Sequence, residues 1–173
     1  MKHLFKIAAT IELVVFDVDG VLTDGQLYFS ENGQESKGFS TLDGQGIKML
    51  QRSGIETAII TGRSSALVKR RADNLSIEHL YQGREDKIVA LKELLAKTNI
   101  APNAVCYVGD DLPDLAAIRY AGMGIAVANA HPFVLQHSTG QTERKGGHGA
   151  VRELCDFILQ AQGKLDAIHA GYL

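Results

Sequence analysis

Short apolar runs alternate with amphipathic stretches along most of the chain. The apolar runs, which predict buried strands, are residues 13–16, 56–60, 79–81, 104–108 and 124–127. The amphipathic stretches, which predict helices, are residues 45–52, 65–74, 87–97, 114–120 and 149–160. Strands and helices that alternate with short connections are typical of a parallel sheet covered by helices. We therefore predict an α/β fold built on a doubly wound parallel sheet.

One segment departs from this alternation. Residues 27–29 and 37–39 both resemble strands, and Asn32 and Gly33 lie between them. Asn-Gly between strand-like runs is a strong hairpin signal, so we predict a β-hairpin insertion within residues 24–43. A two-stranded hairpin is only marginally stable alone in water and is expected to pack on another surface. The sequence pattern is equally compatible with a hairpin that packs on its own domain and with one that packs on a second subunit.

Length and composition narrow the classes of function. With 173 residues, the chain is predicted to form a single domain, 1–173. Its 18 basic and 20 acidic residues nearly balance, which argues against a nucleic-acid partner. No apolar run approaches the roughly 18 residues of a membrane span, and Glu12 and Asp17 interrupt what would be the apolar core of a signal peptide. We expect a cytoplasmic protein with no membrane or nucleic-acid partner.

Polar residues suited to chemistry follow several of the predicted strands. Asp17 and Asp19 come directly after the first strand, Thr61 follows the second and Asp110 follows the fourth, while Lys87 opens a predicted helix. Because the carboxyl ends of parallel strands meet at one edge of a sheet, these side chains are expected to converge there. Two carboxylates that lie close together repel each other, so a cation or a shared proton is expected between them.

The motifs around these residues resemble those of the haloacid dehalogenase-like superfamily of aspartate-nucleophile phosphatases. The first motif is FDVDGVLTD at residues 16–24, the second is IITGR at 59–63, the third is Lys87 and the fourth is GDDLPD at 109–114. Many members carry a cap domain between motifs, but neither gap in this chain has room for a cap with its own core. We therefore expect a capless phosphatase with an open site.

The resemblance implies a role for each catalytic position. Asp17 would attack phosphorus and form an aspartyl-phosphate, which splits one difficult step into two easier ones. Asp19 would act as general acid toward the leaving oxygen and then as general base toward water. Thr61 and Lys87 would hold the phosphoryl oxygens.

The resemblance also implies a Mg²⁺ cofactor. Its ligands would be Asp17, Asp110 and the backbone carbonyl of Asp19, an all-oxygen set of the kind that Mg²⁺ prefers. Asp111 and Asp114 would order the water molecules on the metal or the catalytic lysine. A cation is needed because a carboxylate and a phosphate dianion repel each other.

A closer resemblance is to the capless phosphatase family that acts on 3-deoxy-D-manno-octulosonate 8-phosphate (KDO 8-phosphate), an intermediate of lipopolysaccharide biosynthesis. It is carried by DVDGVLTDG at residues 17–25, DGQGIKML at 43–50, HLYQG at 79–83, AHP at 130–132 and GGHGAVRELCD at 146–156. The family implies a homotetramer whose hairpins pack together and whose C-terminal tails, here residues 163–173, approach neighbouring sites. A tail without such a contact is expected to be frayed.

The family resemblance also implies a set of contacts to the sugar-acid phosphate. These contacts fall on Asp19, Ser40, Thr41, Leu42, Asp43, Gly44, Lys48, Arg63, Arg71 and Lys87. Arginine suits the carboxylate of a keto acid because its guanidinium fork can bind both oxygens. A solvated helix face is the alternative for Arg71. Leu42 departs from the family, which often has a basic residue there.

Two other functions are compatible with these residues. A phosphatase for nine-carbon, sialic-acid-type sugar 9-phosphates would have almost the same site. A non-catalytic oligomerisation module is the alternative from a different class, although every catalytic position is intact in this chain. The residues and the resemblance together favour an enzyme that takes a small sugar-acid phosphate.

Overall fold

The computed structural model describes residues 1–173. Its strands are β1 (Leu13–Phe16), β2 (Tyr28–Phe29), β3 (Glu35–Ser36), β4 (Glu56–Ile60), β5 (His79–Tyr81), β6 (Val105–Gly109), β7 (Met123–Ala126) and β8 (Gly140–Gln141). Six of them form a parallel sheet in the order β5-β4-β1-β6-β7-β8, and β2 and β3 form a separate antiparallel hairpin. Every residue of β1 and β6 is buried, as expected for central strands of a sheet covered on both faces.

Eight α-helices connect and cover the strands. They are α1 (Phe5–Ala8), α2 (Thr41–Arg52), α3 (Ala66–Asn74), α4 (Lys87–Thr98), α5 (Leu115–Tyr120), α6 (Pro132–His137), α7 (Ala150–Ala161) and α8 (Leu165–Ala170). The helices α1, α2 and α7 pack together, and α4, α5 and α6 form a second group. Since parallel crossovers are right-handed, the two groups cover opposite faces of the sheet. The predicted doubly wound α/β fold is confirmed, and no helix is long and apolar enough to cross a membrane.

The order of the strands reverses between β1 and β6. From β1 the chain moves outward through β4 to β5, and then crosses back to β6 on the other side of β1. Ligands of such sheets bind at this reversal, outside the carboxyl ends of the strands. Asp17 and Asp110 are the residues that directly follow β1 and β6, so the topology itself brings them to one place.

Polar side chains at three helix starts explain where these helices begin. Asp86 accepts a hydrogen bond from the Val89 amide and caps α4, as the sequence predicts. Ser65 accepts from the Leu67 amide and caps α3. Ser40 caps α2, which therefore begins at Thr41 rather than at residue 45. Each cap satisfies a backbone amide that has no partner within its own helix.

The predicted and observed elements differ mainly where the sequence pattern is weak. The short elements α1, α6, α8 and β8 were not predicted, and β8 has only two residues and no apolar run. Residues 163–173 are not frayed, because they contain α8 and pack on their own protomer. Tyr172 accepts a hydrogen bond from the Gln45 side chain at 2.7 Å, and Lys164 donates to the carbonyl of Ser53 at 2.9 Å.

The predicted hairpin is present, but its second strand is Glu35–Ser36 rather than residues 37–39. Its turn contains Gly33 at a positive φ of 78°, a conformation that glycine adopts without strain. The two sides of the hairpin differ, since Tyr28 and Phe29 are 49% and 63% exposed whereas the side chain of Lys37 is buried in its own domain. The hairpin therefore packs partly on its own domain and leaves an apolar surface uncovered.

Candidate active site

A cavity of about 470 Å³ opens at the carboxyl edge of the sheet, and no hydrophobic residue lines it. All four motifs contribute to its lining. The cavity includes every residue predicted for catalysis, for metal binding and for their support: Asp17, Asp19, Thr61, Lys87, Asp110, Asp111 and Asp114. A cavity with this lining suits a small charged ligand.

Asp17 is the first residue after β1 and is only 4% exposed. Its Oδ1 lies 2.7 Å from Nζ of Lys87. Burial raises the pKa of Asp17 above its usual value, and the charge of Asp114 raises it further against the opposing attraction of Lys87. A carboxylate that is largely removed from water and has one cationic partner fits the role of a nucleophile at the floor of the cavity.

Lys87 is the first residue of α4, directly after the capping Asp86. Its Nζ lies 2.7 Å from Oδ1 of Asp17 and 2.7 Å from Oδ1 of Asp114. Burial opposes the charged form of Lys87, but the two carboxylates outweigh burial and raise its pKa. The side chain is therefore an ammonium ion fixed at the cavity, where it can bind an anionic oxygen.

Asp114 organises the residues around it with both of its carboxylate oxygens. Oδ1 accepts hydrogen bonds from Lys87 at 2.7 Å and from the hydroxyl of Tyr107 at 3.0 Å. Oδ2 accepts from the amides of Asp110 at 3.2 Å and Asp111 at 3.4 Å. Asp114 thus contacts both the lysine and the loop after β6, and its supporting role stays a prediction.

The carboxylate of Asp110 accepts no hydrogen bond from the protein, in contrast to that of Asp114. Burial and the nearby charge of Asp114 raise the pKa of Asp110 to about 7. Gly20 makes room for this carboxylate, because a Cβ at Gly20 would lie 2.0 Å from Oδ2 of Asp110. Gly20 also has a positive φ of 96°, so any other residue would be strained there. The site therefore holds a half-buried carboxylate that still needs a counter-charge.

We call Asp17, Asp110, Asp114 and Lys87 the carboxylate cluster. One oxygen from each of the three carboxylates lies within 4.8 Å of the others. Because three carboxylates face one ammonium, the cluster lacks about two positive charges. A divalent ion that prefers oxygen ligands would supply them, so the cluster fits Mg²⁺. Asp17 and Asp110 are better placed as ligands than Asp114, whose oxygens are already bonded, and the carbonyl of Asp19 stays a predicted ligand.

Asp19 and Thr61 face the cavity from two sides. The side chain of Asp19 is 22% exposed, and its Oδ1 forms an ion pair with Lys37, which the hairpin contributes. Thr61 is buried directly after β4, and its amide donates to the carbonyl of Tyr81 at 2.9 Å. The Thr61 hydroxyl makes no hydrogen bond with the protein, which leaves it available to a ligand in the cavity.

The predicted substrate segment, residues 40–44, does not contribute to the cavity lining. Ser40 caps α2, and Thr41 and Leu42 are exposed. Asp43 is buried, and its Oδ1 accepts a hydrogen bond from the amide of Arg152 at 2.8 Å, in the first turn of α7. Asp43 thus serves as a partner for the start of a helix within this protomer. Contact between this segment and a substrate stays a prediction.

Arg71 is neither a solvated helix residue nor part of the cavity. Its Nη2 donates to the carbonyl of Ser40 at 2.9 Å, and its guanidinium lies 5.6 Å from the ring centroid of Phe39. A Cβ at Gly44 would lie 2.4 Å from Nη2, so the glycine leaves space for the arginine. In this structure Arg71 supports the segment that leads into α2.

Arg63 and Lys48 are placed differently from Arg71. Arg63 lines the cavity, its side chain is 42% exposed, and its Nη2 lies 2.8 Å from Oε1 of Glu35 in the hairpin. Lys48 is half-buried on α2 and has no charged partner in this protomer. Apart from Lys87, three basic residues are predicted to contact the substrate, and of these three only Arg63 lines the cavity.

Three residues that complete the site were missed by the sequence analysis: Gly20, Lys37 and Tyr107. Tyr107 did leave a signal, because it is the only hydroxyl-bearing residue of the wholly buried strand β6, and a buried tyrosine hydroxyl usually has a partner. Gly20 directly follows the Asp17-Val18-Asp19 motif. Lys37 left no signal, since nothing in the sequence spacing connects it to Asp19.

Comparisons with known proteins agree with this geometry. The sequence profile of the haloacid dehalogenase-like hydrolases matches residues 79–154. The protein 3-deoxy-D-manno-octulosonate 8-phosphate phosphatase KdsC of Salmonella typhi is 49% identical over 164 residues, which are 95% of this chain and 87% of that protein.

Solved structures are similar to this chain in both sequence and fold. A probable YrbI family phosphatase from Pseudomonas syringae is 58% identical with a TM-score of 0.97, and the match covers 99% of this chain and 98% of that one. The 3-deoxy-D-manno-octulosonate 8-phosphate phosphatase of Moraxella catarrhalis, solved with magnesium, phosphate and KDO, is 47% identical with a TM-score of 0.97 and coverage of 100% and 99%. The chain therefore belongs to the 3-deoxy-D-manno-octulosonate 8-phosphate phosphatase family of the haloacid dehalogenase-like hydrolases.

Proposed function

We propose that this protein hydrolyses KDO 8-phosphate to KDO and inorganic phosphate with Mg²⁺ as its cofactor. The observation that carries the proposal is the carboxylate cluster, in which the buried Asp17 lies beside Lys87 and Asp110 at the reversal of the strand order. The ligands of the Moraxella catarrhalis relative, which matches the whole chain, support the same substrate and metal here.

Asp17 is the proposed nucleophile. One of its oxygens bonds to phosphorus while the bond from phosphorus to the sugar oxygen breaks, and the product of this step is an aspartyl-phosphate. Attack of water on phosphorus then releases inorganic phosphate and restores the Asp17 carboxylate. When Mg²⁺ is bound by Asp17, Asp110 and the carbonyl of Asp19, it supplies positive charge against which the phosphoryl oxygens can lie.

The other cavity residues have separate proposed tasks. Asp19 donates a proton to the departing sugar oxygen, and as a carboxylate it then accepts a proton from the attacking water. Lys87 and the unbonded hydroxyl of Thr61 hold the phosphoryl oxygens. Asp114 keeps Lys87 in place through the 2.7 Å contact, and Asp111 supports the loop by capping its turn at the Leu112 amide.

The sugar-acid part of the substrate is assigned mainly to Arg63. Of the two arginines predicted to contact the substrate, only Arg63 lines the cavity. The keto-acid carboxylate of the substrate would replace Glu35 as the partner of its guanidinium. We propose that residues 40–44 and Lys48 act on the substrate only after a local rearrangement or from a neighbouring subunit, because they do not line the cavity of their own protomer.

We also propose that residues 1–173 act as one catalytic domain within a homotetramer in the cytoplasm. A single cluster of 44 buried residues forms the core, which supports one domain. The exposed Leu27, Tyr28 and Phe29 of the hairpin give further copies of the chain an apolar surface to cover. Two free, buried cysteines fit a reducing compartment.

A phosphate-release assay tests the proposed function. Purified protein would be given eight-carbon KDO 8-phosphate or a nine-carbon sialic-acid-type 9-phosphate, with Mg²⁺ or with excess EDTA. We expect Mg²⁺-dependent release and a higher kcat/KM for the eight-carbon substrate. A higher kcat/KM for the nine-carbon substrate would reject the assigned sugar, and full activity in EDTA would reject the assigned cofactor. An Asp17→Asn variant is the control for a contaminating phosphatase.

A further inference from the structure

The side chain of Lys37 is buried although the residue belongs to an exposed insertion. It follows β3 directly, and both of its neighbours, Ser36 and Gly38, are exposed, yet only 1% of its own side chain is accessible. A lysine is rarely buried to this extent unless it is paired, because the removal of an ammonium ion from water is costly. The partners of Lys37 should therefore reveal its task.

Both partners of Lys37 are carboxylates, and one of them is Asp19. The ammonium forms an ion pair with Oδ1 of Asp19 and lies 3.5 Å from Oε1 of Glu35. Glu35 also binds Arg63 at 2.8 Å, which ties β3 of the hairpin to the cavity wall. Asp19 lines the cavity, whereas Lys37 does not. The lysine thus contacts Asp19 without lining the cavity itself.

We propose that Lys37 is a positioning residue for Asp19, which rests on the acid–base role proposed for Asp19 above. Lys37 holds Oδ1, and no other hydrogen bond from the protein reaches the Asp19 carboxylate, so Oδ2 is free to exchange a proton with the leaving oxygen and with water. A carboxylate that is fixed at one oxygen presents its other oxygen in a defined direction, which proton transfer requires. The hairpin therefore acts on catalysis within its own protomer.

A double-mutant cycle with Lys37→Met and Asp19→Asn tests this proposal. Methionine has a similar length without the charge, and KDO 8-phosphate with Mg²⁺ is the substrate. We expect Lys37→Met alone to lower kcat by about 10- to 100-fold and to change KM by less than about threefold. In the Asp19→Asn background the same change should have almost no further effect, because the group that Lys37 positions is already gone.

Two results of the cycle would overturn the proposal. If Lys37→Met lowers kcat by the same factor in both backgrounds, the lysine acts independently of Asp19. If the variant raises KM and leaves kcat unchanged, the lysine binds substrate instead. In single-turnover measurements of the first step, a smaller loss on an aryl phosphate than on KDO 8-phosphate would support the proposal, because an aryl leaving group needs no proton. Equal losses in that first step would count against it.

Controls separate this role from a structural one. Lys69→Met removes an exposed lysine from its 2.9 Å ion pair with Asp73 and should leave kcat and KM unchanged. Glu35→Gln leaves Lys37 with Asp19 as its single carboxylate partner, and it should lower kcat by a smaller factor that also disappears in the Asp19→Asn background. If Asp19→Asn itself retains full activity, the proposed function of Asp19 fails. If Asp19→Asn is impaired but Lys37→Met is not, only the positioning role fails.

Discussion

The carboxylate cluster and the predicted substrate segment differ in how far a single protomer completes them. In the cluster, Asp17 and Asp114 are buried, and both lie 2.7 Å from the same ammonium of Lys87. In the substrate segment, residues 40–44 lie outside the cavity, and Asp43 is bonded to the first turn of α7. One protomer thus contains the groups proposed to break the phosphate ester but only part of the groups proposed to select the sugar.

This difference separates two kinds of constraint. In the cluster, Asp17 and Asp110 directly follow central strands, so the rigid sheet fixes their positions. Lys87 opens α4 and Asp114 directly precedes α5. The residues assigned to the sugar acid lie at the start of α2, within α2 and in the loop after β4, where no strand fixes their positions. We therefore expect substitutions in the cluster to lower kcat and substitutions in the substrate segment to act mainly on KM.

The largest expected effect is that of Asp17→Asn. The change removes the charge of the nucleophile with almost no change of volume, so activity should fall by about three powers of ten or more while the fold persists. Steady-state assays with KDO 8-phosphate, together with circular dichroism, measure both quantities. Substantial turnover by a pure variant would show that the cluster does not supply the nucleophile.

A smaller loss is expected for Asp19→Asn, and its size should depend on the leaving group. Proton donation contributes about 10² to 10⁴ to the rate when the leaving group is a sugar alkoxide. Formation of the enzyme-bound phosphoryl group from an aryl phosphate should therefore suffer less, as measured by the rate of aryl alcohol release in a single turnover. Identical losses on both substrates would assign Asp19 to metal binding rather than to proton transfer.

Arg63→Ala and Arg71→Ala sharpen the comparison between the two regions. Arg63 lines the cavity, so its loss should raise KM for KDO 8-phosphate by about tenfold to a hundredfold and leave KM for an aryl phosphate nearly unchanged. Arg71 donates a hydrogen bond to the carbonyl of Ser40, so the loss of Arg71 should also lower the melting temperature. A larger effect of Arg71 than of Arg63 on KM would mean that the substrate segment rearranges during binding.

The smallest expected effect is a pH dependence of metal binding. The pKa of Asp110 is raised to about 7 in the folded protein, so without metal the carboxyl binds a proton more tightly than in the unfolded chain. Its contribution to stability is thus present at low pH and is lost as pH rises toward 7. Because Mg²⁺ must displace that proton, its effect on the melting temperature should grow between about pH 6 and pH 8. In Asp110→Asn this growth should disappear.

The sequence allowed a good prediction wherever an apolar run ended in a polar residue. The strands β1, β4 and β5 have the predicted bounds, and Asp17, Asp110 and Lys87 meet as the topology requires. The sequence could not predict contacts that only packing creates. Asp43 meets the Arg152 amide across 109 positions, and Lys37 meets Asp19 only because the hairpin folds back on its own domain.

The most direct test of the central claim is to trap the phosphoryl group on Asp17. In the Asp19→Asn variant with an aryl phosphate and Mg²⁺, the first step needs no proton, whereas the second lacks its general base. We therefore predict a burst of aryl alcohol and, after an acid quench, mass spectra in which the peptide that contains Asp17 carries one phosphoryl group. Release of the aryl alcohol with no phosphoryl group on the enzyme would contradict the account.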